Sequence, residues 1–328
     1  MNLGIEQQRI SRDMIACEKF QGFSSQQRRM CFIYLDHMPA LARGAYLALQ
    51  ECQHQFRDHR WNCTVANSSH IYSHFANLGT PEIGFVHSIM SAFIASSLAR
   101  ACKDGELTTC GCSRKDRPRS LPQDWLWEGC GDDVNYGRLF TEKFVKAHYD
   151  TNPSKSTREY LSQITERHNG EVGSRTAVMY ARPVCKCHGV SGSCNVKTCW
   201  EEVAPIRELG DHLKAKYDEA IPVRPSKKMN IIRRKNKSSK KLTKSDIAYF
   251  NQPLDYCELN LKKGSFGTKG RFCNKTSSGT DGCSHMCCGR GFYSKKITVH
   301  EQCHCKFRWC CEVKCKVCEK IVDIHWCK

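Results

Sequence analysis

The cysteines constrain this chain more than any other feature. There are 24 in 328 residues, a density that marks a disulfide framework made in an oxidising compartment. Zinc is the rival reading. Zinc sites favour paired C-x2-C knuckles, yet only Cys315 and Cys318 have that spacing, while vicinal pairs (Cys287-Cys288, Cys310-Cys311) and C-x-C pairs are commoner. No metal is therefore expected. Twelve cysteines lie up to Cys199 and twelve from Cys257 to Cys327, with none between. Even counts let each half close its own bonds and predict two domains, although parity does not give connectivity.

The halves differ in texture. Leu41, Ala45, Leu49, Cys52 and Phe56 recur every three or four residues and predict a helix. Further helices are expected over 84–102, 134–148, 157–168 and 199–217, forming a bundle rather than a parallel α/β sheet. From Cys257 onward, glycine-rich turns and short segments such as "KKITVHEQCHCKFRW" predict short β-hairpins held by disulfides. The expected class is α+β, a disulfide-rich two-domain fold. Residues 1–220 form the helical N-terminal domain, 221–252 a linker and 253–328 the cysteine-rich domain.

The linker carries charge. Of the net +18, ten Lys or Arg and no acid fall between Ala220 and Ser245, including Lys227, Lys228, Arg233, Arg234 and Lys235. Such a run without aromatics is a solvated segment. A nuclear reading conflicts with the cysteines, so nucleic acid is not an expected partner. In a secreted protein the charge would instead bind heparan sulfate by counterion release.

Four N-x-[ST] sequons, at Asn62, Asn67, Asn236 and Asn274, agree with secretion. The first residues have no apolar core and do not read as a signal peptide, so one is expected upstream of Met1. The longest apolar stretch, "IGFVHSIMSAFIASSLA", contains His87 and reads as a buried helix, not a membrane span.

The non-catalytic reading wins at each enzymatic candidate. Ser191 in "CKCHGVSGSCNVKTCW" lacks the G-x-S-x-G turn of a hydrolase nucleophile, and His188 beside it reads as a polar loop residue. Asp132-Asp133 precede a helix and read as N-capping rather than as paired catalytic carboxylates. What remains for this loop is display. Nested bonds, Cys185–Cys199 outside and Cys187–Cys194 inside, would make a rigid hairpin over 185–199. Gly189 and Gly192 permit the turn, and Val190 and Ser191 take the tip.

"ECQHQFRDHRWNC", "CKCHGVSGSCNVKTCW", "DGCSHMCCGRGF" and "CHCKFRWCCEVKC" together resemble the Wnt family of secreted signalling glycoproteins. The segment "ACKDGELTTCGCSRKDRPRSLPQDWLWEGCGDD" is most similar to its fifth subgroup, associated with β-catenin-independent signalling. The resemblance implies a palmitoleoyl ester on Ser191, attached by the Porcupine acyltransferase. The protein would be exported by the Wntless carrier and would associate with membranes through the lipid.

The resemblance further implies that a thumb-like hairpin inserts the lipid into the Frizzled cysteine-rich domain, with Lys186 and Val190 beside it. A finger hairpin over 303–318 would grip the far side through Phe307, Trp309, the Cys310-Cys311 pair (a vicinal bond, by this reading) and Val313. Co-receptors would be LDL-receptor-related, Ror or Ryk proteins, and no cofactor is implied beyond palmitoleate and N-glycans. Thr64 in the Asn62 sequon, where serine is frequent, Arg308, where histidine is common, and Glu201-Glu202 depart from the family pattern. Two rivals remain: a secreted serine esterase using Ser191, and a cysteine-rich structural or inhibitor module.

Overall fold

The computed structural model describes residues 17–18, 22–64, 78–148, 157–189, 193–194, 196–225, 232–234 and 242–328. In chain order its elements are α1 (Ser25–Ile33), a 3-10 turn (Leu35–His37), α2 (Met38–Gln55), α3 (Pro81–Lys103), β1 (Leu126–Trp127), α4 (Val134–Lys146), α5 (Thr157–Tyr180), β2 (Arg182–His188) and β3 (Val196–Glu202). Next come α6 (Ile206–Asp218), β4 (Ile221–Pro225), β5 (Ile232–Arg234), β6 (Ala248–Tyr249), β7 (Leu259–Asn260), β8 (Ser265–Phe266) and β9 (Phe272–Cys273). The chain ends with α7 (Cys283–Met286), β10 (Phe292–Arg308) and β11 (Glu312–Cys327). Helix, strand and disulfide are mixed as the α+β expectation required.

The chain divides into two compact units, Met1–Gln55 with Val65–Leu254, and Phe56–Thr64 with Asp255–Lys328. In the first, α3 is the central post. Pro81 opens it, where a missing N–H costs nothing, and its Phe85, Ile89, Leu98 and Ala101 are buried. It is the one helix, among the described residues, long and apolar enough to cross a membrane, but it lies mostly inside the bundle. Helices α2, α4 and α5 all pack on it. Each brings a glycine to its backbone: a Cβ on Gly44 would stand 2.7 Å from Ile94 Cα, on Gly137 2.1 Å from Ala95 O, and on Gly173 1.8 Å from Ser88 O. Close helix approach, not turn formation, is what these glycines provide.

Three expectations change here. Helix α5 continues twelve residues beyond His168, to Tyr180. Residues 199–217 are not one helix: strand β3 runs to Glu202 before α6 begins at Ile206. The 221–252 segment is also more than a linker. Strands β4 and β5 pair antiparallel, β4 and β6 parallel, and Ile221, Val223, Ile232 and Ala248 pack with Ile164 in one apolar cluster. Ile221, Val223 and Ala248 anchor the flanks of the basic run, and Ile232 lies within it. Arg233 and Arg234 lie on β5, whereas Lys227, Lys228 and Lys235 fall outside the described residues.

The second unit borrows 56–64 from the N-terminal half. Phe56 and Trp61 meet edge to face, and Arg271 donates to the carbonyls of Arg57, His59 and Arg60. Its apolar centre is small, built around Cys283, Met286, Cys287 and Cys327. Disulfides Cys257–Cys288, Cys273–Cys283 and Cys287–Cys327 supply what that centre cannot. Instead of several short hairpins, one long ribbon, β10–β11, dominates this unit.

Candidate functional site

Two disulfide-braced hairpins carry the candidate residues. The first is β2–β3, whose register sets Cys185 opposite Cys199, Lys186 opposite Thr198 and His188 opposite Val196. Cys185 is bonded to Cys199 and Cys187 to Cys194, so two nested links close the hairpin below its loop. Lys186 is exposed on β2. A Cβ on Gly189 would stand 2.2 Å from Ser193 Oγ and 2.5 Å from Ser193 O, so only glycine lets the loop close so tightly. Val190 and Ser191 lie outside the described residues.

The foot of this hairpin is locked by groups that sequence reading missed. Strand β1 adds in parallel to β3, with Leu126 opposite Thr198 and Trp127 opposite Cys199. Beyond it, Asp132 N–H donates to Glu201 O (2.8 Å), and the buried Asp132 carboxylate accepts from Val203 N–H (2.8 Å). Burial pushes the Asp132 carboxyl above its ordinary range, opposed by the Val203 bond and Lys103. Glu201 is buried and paired with Lys115. The Trp200 indole donates to Glu202 (2.7 Å) and holds that carboxyl below its ordinary range, helped by Lys103 at 3.3 Å. Asp133 caps α4 by accepting from Tyr136 N–H (3.0 Å). Both aspartates thus bind backbone N–H groups, although only Asp133 is an N-cap. The segments "DDV" (132–134) and "EEV" (201–203), far apart in the chain, give no sequence hint that they meet.

The second hairpin is the far end of β10–β11. Cys303–Cys318 and Cys305–Cys315 brace it around a bulge between Cys303 and Lys306. Phe307 stands opposite Val313, 70% and 61% exposed, and Trp309 in the turn is 93% exposed. The expected vicinal bond is not formed: Cys310 and Cys311 are free, exposed thiols. Their φ values of 70° and 78° put two non-glycine residues in left-handed conformation, at a cost of order 1–3 kcal/mol each. Turn chemistry normally assigns such positions to Gly or Asn, which is why the sequence did not disclose this turn.

Two sequons are described. Thr64 donates to Asn62 Oδ1, and Thr276 donates to the exposed Asn274 through its hydroxyl (2.9 Å) and N–H (3.1 Å). Asn67 and Asn236 lie outside the described residues.

Comparison with known proteins agrees with this architecture. A model of the wnt family matches residues 19–328. Human Protein Wnt-5b is 45% identical over 315 residues, covering 95% of this chain and 87% of that protein. Mouse Protein Wnt-5a is 44% identical over 313 residues, covering 95% and 82%. Among solved structures, a chain in human WLS in complex with WNT8A superposes with a TM-score of 0.60 at 32% identity, covering 88% of this chain and 93% of that one. On a match that runs almost from end to end, this chain belongs to the Wnt family.

Proposed function

We propose that the protein is a secreted, glycosylated Wnt ligand, palmitoleoylated on Ser191 by Porcupine and carried by Wntless. Its lipidated β2–β3 loop and the Trp309 end of β10–β11 would grip a Frizzled cysteine-rich domain. Output would pass through LDL-receptor-related, Ror or Ryk co-receptors and include β-catenin-independent branches. The observation that carries this reading is the pair of hairpins, each braced by two disulfides near its end. Rigid display lowers the ordering cost of binding. A buried acyl chain contributes ~0.8 kcal/mol per methylene. About a dozen methylenes therefore give on the order of 10 kcal/mol gross before ordering costs. The solved complex of WLS with WNT8A supports the same carrier here.

Intact-mass analysis of protein secreted from the full-length transcript tests the reading, together with binding to a Frizzled cysteine-rich domain. Ser191→Ala should lose the acyl mass and receptor binding, whereas Ser193→Ala should keep both. Active secreted protein without lipid, or with lipid on Ser193, would refute it. Failure of an active-site serine probe to label the folded protein excludes the esterase alternative.

A further inference from the structure

Strand β10 is an edge. The order in its sheet is β10, β11, β9, so one side of its 17 residues pairs with β11 and, among the described residues, the other side meets no strand. A long unpaired edge presents a row of N–H and C=O groups and is a template for pairing with another chain. Natural sheets blunt such edges with a bulge, a proline or lysines. Here the bulge begins only at Cys303 and the strand has no proline, so over 292–302 the defence rests on Lys295 and Lys296. Those lysines block pairing only where a partner leaves them unmatched.

A second copy of the same strand matches them. Antiparallel pairing about a two-fold axis fixes every mate, and mates must share a face, so the axis passes a residue rather than a peptide bond. An axis at Lys295, Lys296 or Glu301 would set a charge against itself. At Ile297, Val299 or His300 it would set Lys295, Lys296 and Glu301 against side chains that are neither acid nor lysine. Only at Thr298 do opposite charges meet. Lys295 of each copy then faces Glu301 of the other, Lys296 faces His300, Ile297 faces Val299, and Ser294 faces Gln302.

Lys295 and Glu301 are both exposed, and within the chain they stand opposite Ile324 and Cys318, so neither has an ionic partner across the ribbon. The same register continues the apolar rows. Val322 and Ile297 of one copy run on to Val299 of the other, and Ile321 beside Thr298 runs on to the second Thr298 and Ile321. Residues 294–302 of the two copies add about eight to ten interstrand hydrogen bonds over roughly 30 Å.

We propose that the β10 edge pairs with that of a second copy, antiparallel about Thr298, joining two β10–β11 ribbons into one continuous sheet. The two Trp309 ends lie outside the paired rungs, at opposite ends of that sheet. This contact goes beyond the ligand reading above and does not depend on it.

Sedimentation equilibrium of the full secreted chain tests the pairing. Detergent takes up any acyl chain, and Cys310→Ser with Cys311→Ser keeps the exposed thiols from linking copies. A monomer–dimer equilibrium is expected. Lys295→Glu and Glu301→Lys should each weaken it about tenfold or more, because each turns two attractive cross-strand pairs into repulsive ones. The combined Lys295→Glu, Glu301→Lys variant exchanges the charges but keeps them matched, and should recover most of the parent's association. Both positions are exposed, so the fold does not depend on these changes. Trp309→Ala should leave the dimer intact. Monomer at every concentration would overturn the proposal, as would a combined variant no better than its single parents. Loss of the dimer in Trp309→Ala would overturn it too, by placing the contact at the turn instead of the edge.

Discussion

Phe307 and Val313 face each other one rung from the end of the β10–β11 ribbon, and neither is covered. With Trp309 projecting from the turn, they form an apolar end that packs on no core. Removing an exposed indole costs the fold little. At an interface centre, however, truncating a tryptophan commonly costs ~2 kcal/mol or more. Trp309→Ala should therefore weaken Frizzled binding at least about thirtyfold, with secretion and acylation intact. Purified, lipid-bearing Trp309→Ala protein that binds with unchanged affinity would remove this contact from the proposal.

Gly173 tests the bundle. Its Cα sits so close to α3 that a Cβ would overlap Ser88 O. Gly173→Ala gains up to about 1 kcal/mol of helix propensity but must push two packed helices apart, at a typical cost of 1–3 kcal/mol or more. A lower thermal midpoint and reduced secreted yield are expected. A midpoint at or above that of the parent would mean that α3 and α5 have slack between them.

The same glycines show where the sequence was legible. The stripe Leu41, Leu49, Cys52 and the apolar run 83–99 gave α2 and α3 because side-chain period alone makes those helices. "HNGEVGSR" hid the second half of α5, since Gly170 and Gly173 read locally as a helix stop. Only the presence of α3 turns them into packing residues. Likewise, the end of β3, residues 199–202, carries a helical pattern in sequence, because its pairing with β2 and β1 is decided by long-range contacts and two disulfides. Hydrophobic period is local and cross-linking is not. The thumb residues Cys185, Cys187, Cys194 and Cys199 stood out by spacing, whereas the left-handed turn at Cys310 and Cys311 had no signature.

Acid should weaken the helical unit through its buried histidines. His168 donates Nε2–H to Asp246 O (2.9 Å), and burial pushes its pKa below the ordinary value. Burial does the same to His87, which Glu166 at 3.5 Å partly offsets. A histidine kept neutral in the fold is protonated first in the unfolded chain. Its contribution is thus full above the unfolded pKa of about 6.5 and lost as pH falls through the lower folded value. The thermal midpoint should fall between about pH 7.5 and about pH 5.5. His168→Gln, which keeps a donor for Asp246 O, should flatten that fall. An equal fall in the variant would assign the acid sensitivity elsewhere.

Asp132 connects the bundle to the foot of the thumb hairpin. Its carboxylate is the acceptor for Val203 N–H, the first amide after β3, and its own N–H holds Glu201 O. Asp132→Ala would leave the Val203 amide buried without that acceptor, a loss of about 1–3 kcal/mol. Amide exchange over Cys199–Val203 should accelerate, and Frizzled affinity should drop through looser presentation of the loop. Asp132→Asn keeps an acceptor oxygen and should recover most of both. The pH dependence separates this role from a purely ionic one. Burial raises the folded pKa of Asp132 above its unfolded value. Its ionisation is therefore a cost that is fully present above the folded pKa and relieved as pH falls through it. Asparagine removes that cost, so the stability of Asp132→Asn relative to the parent should be greatest near neutral pH and decline on acidification. Equal losses in the Ala and Asn variants would show that the attraction to Lys103, rather than the bond to Val203, secures the hairpin.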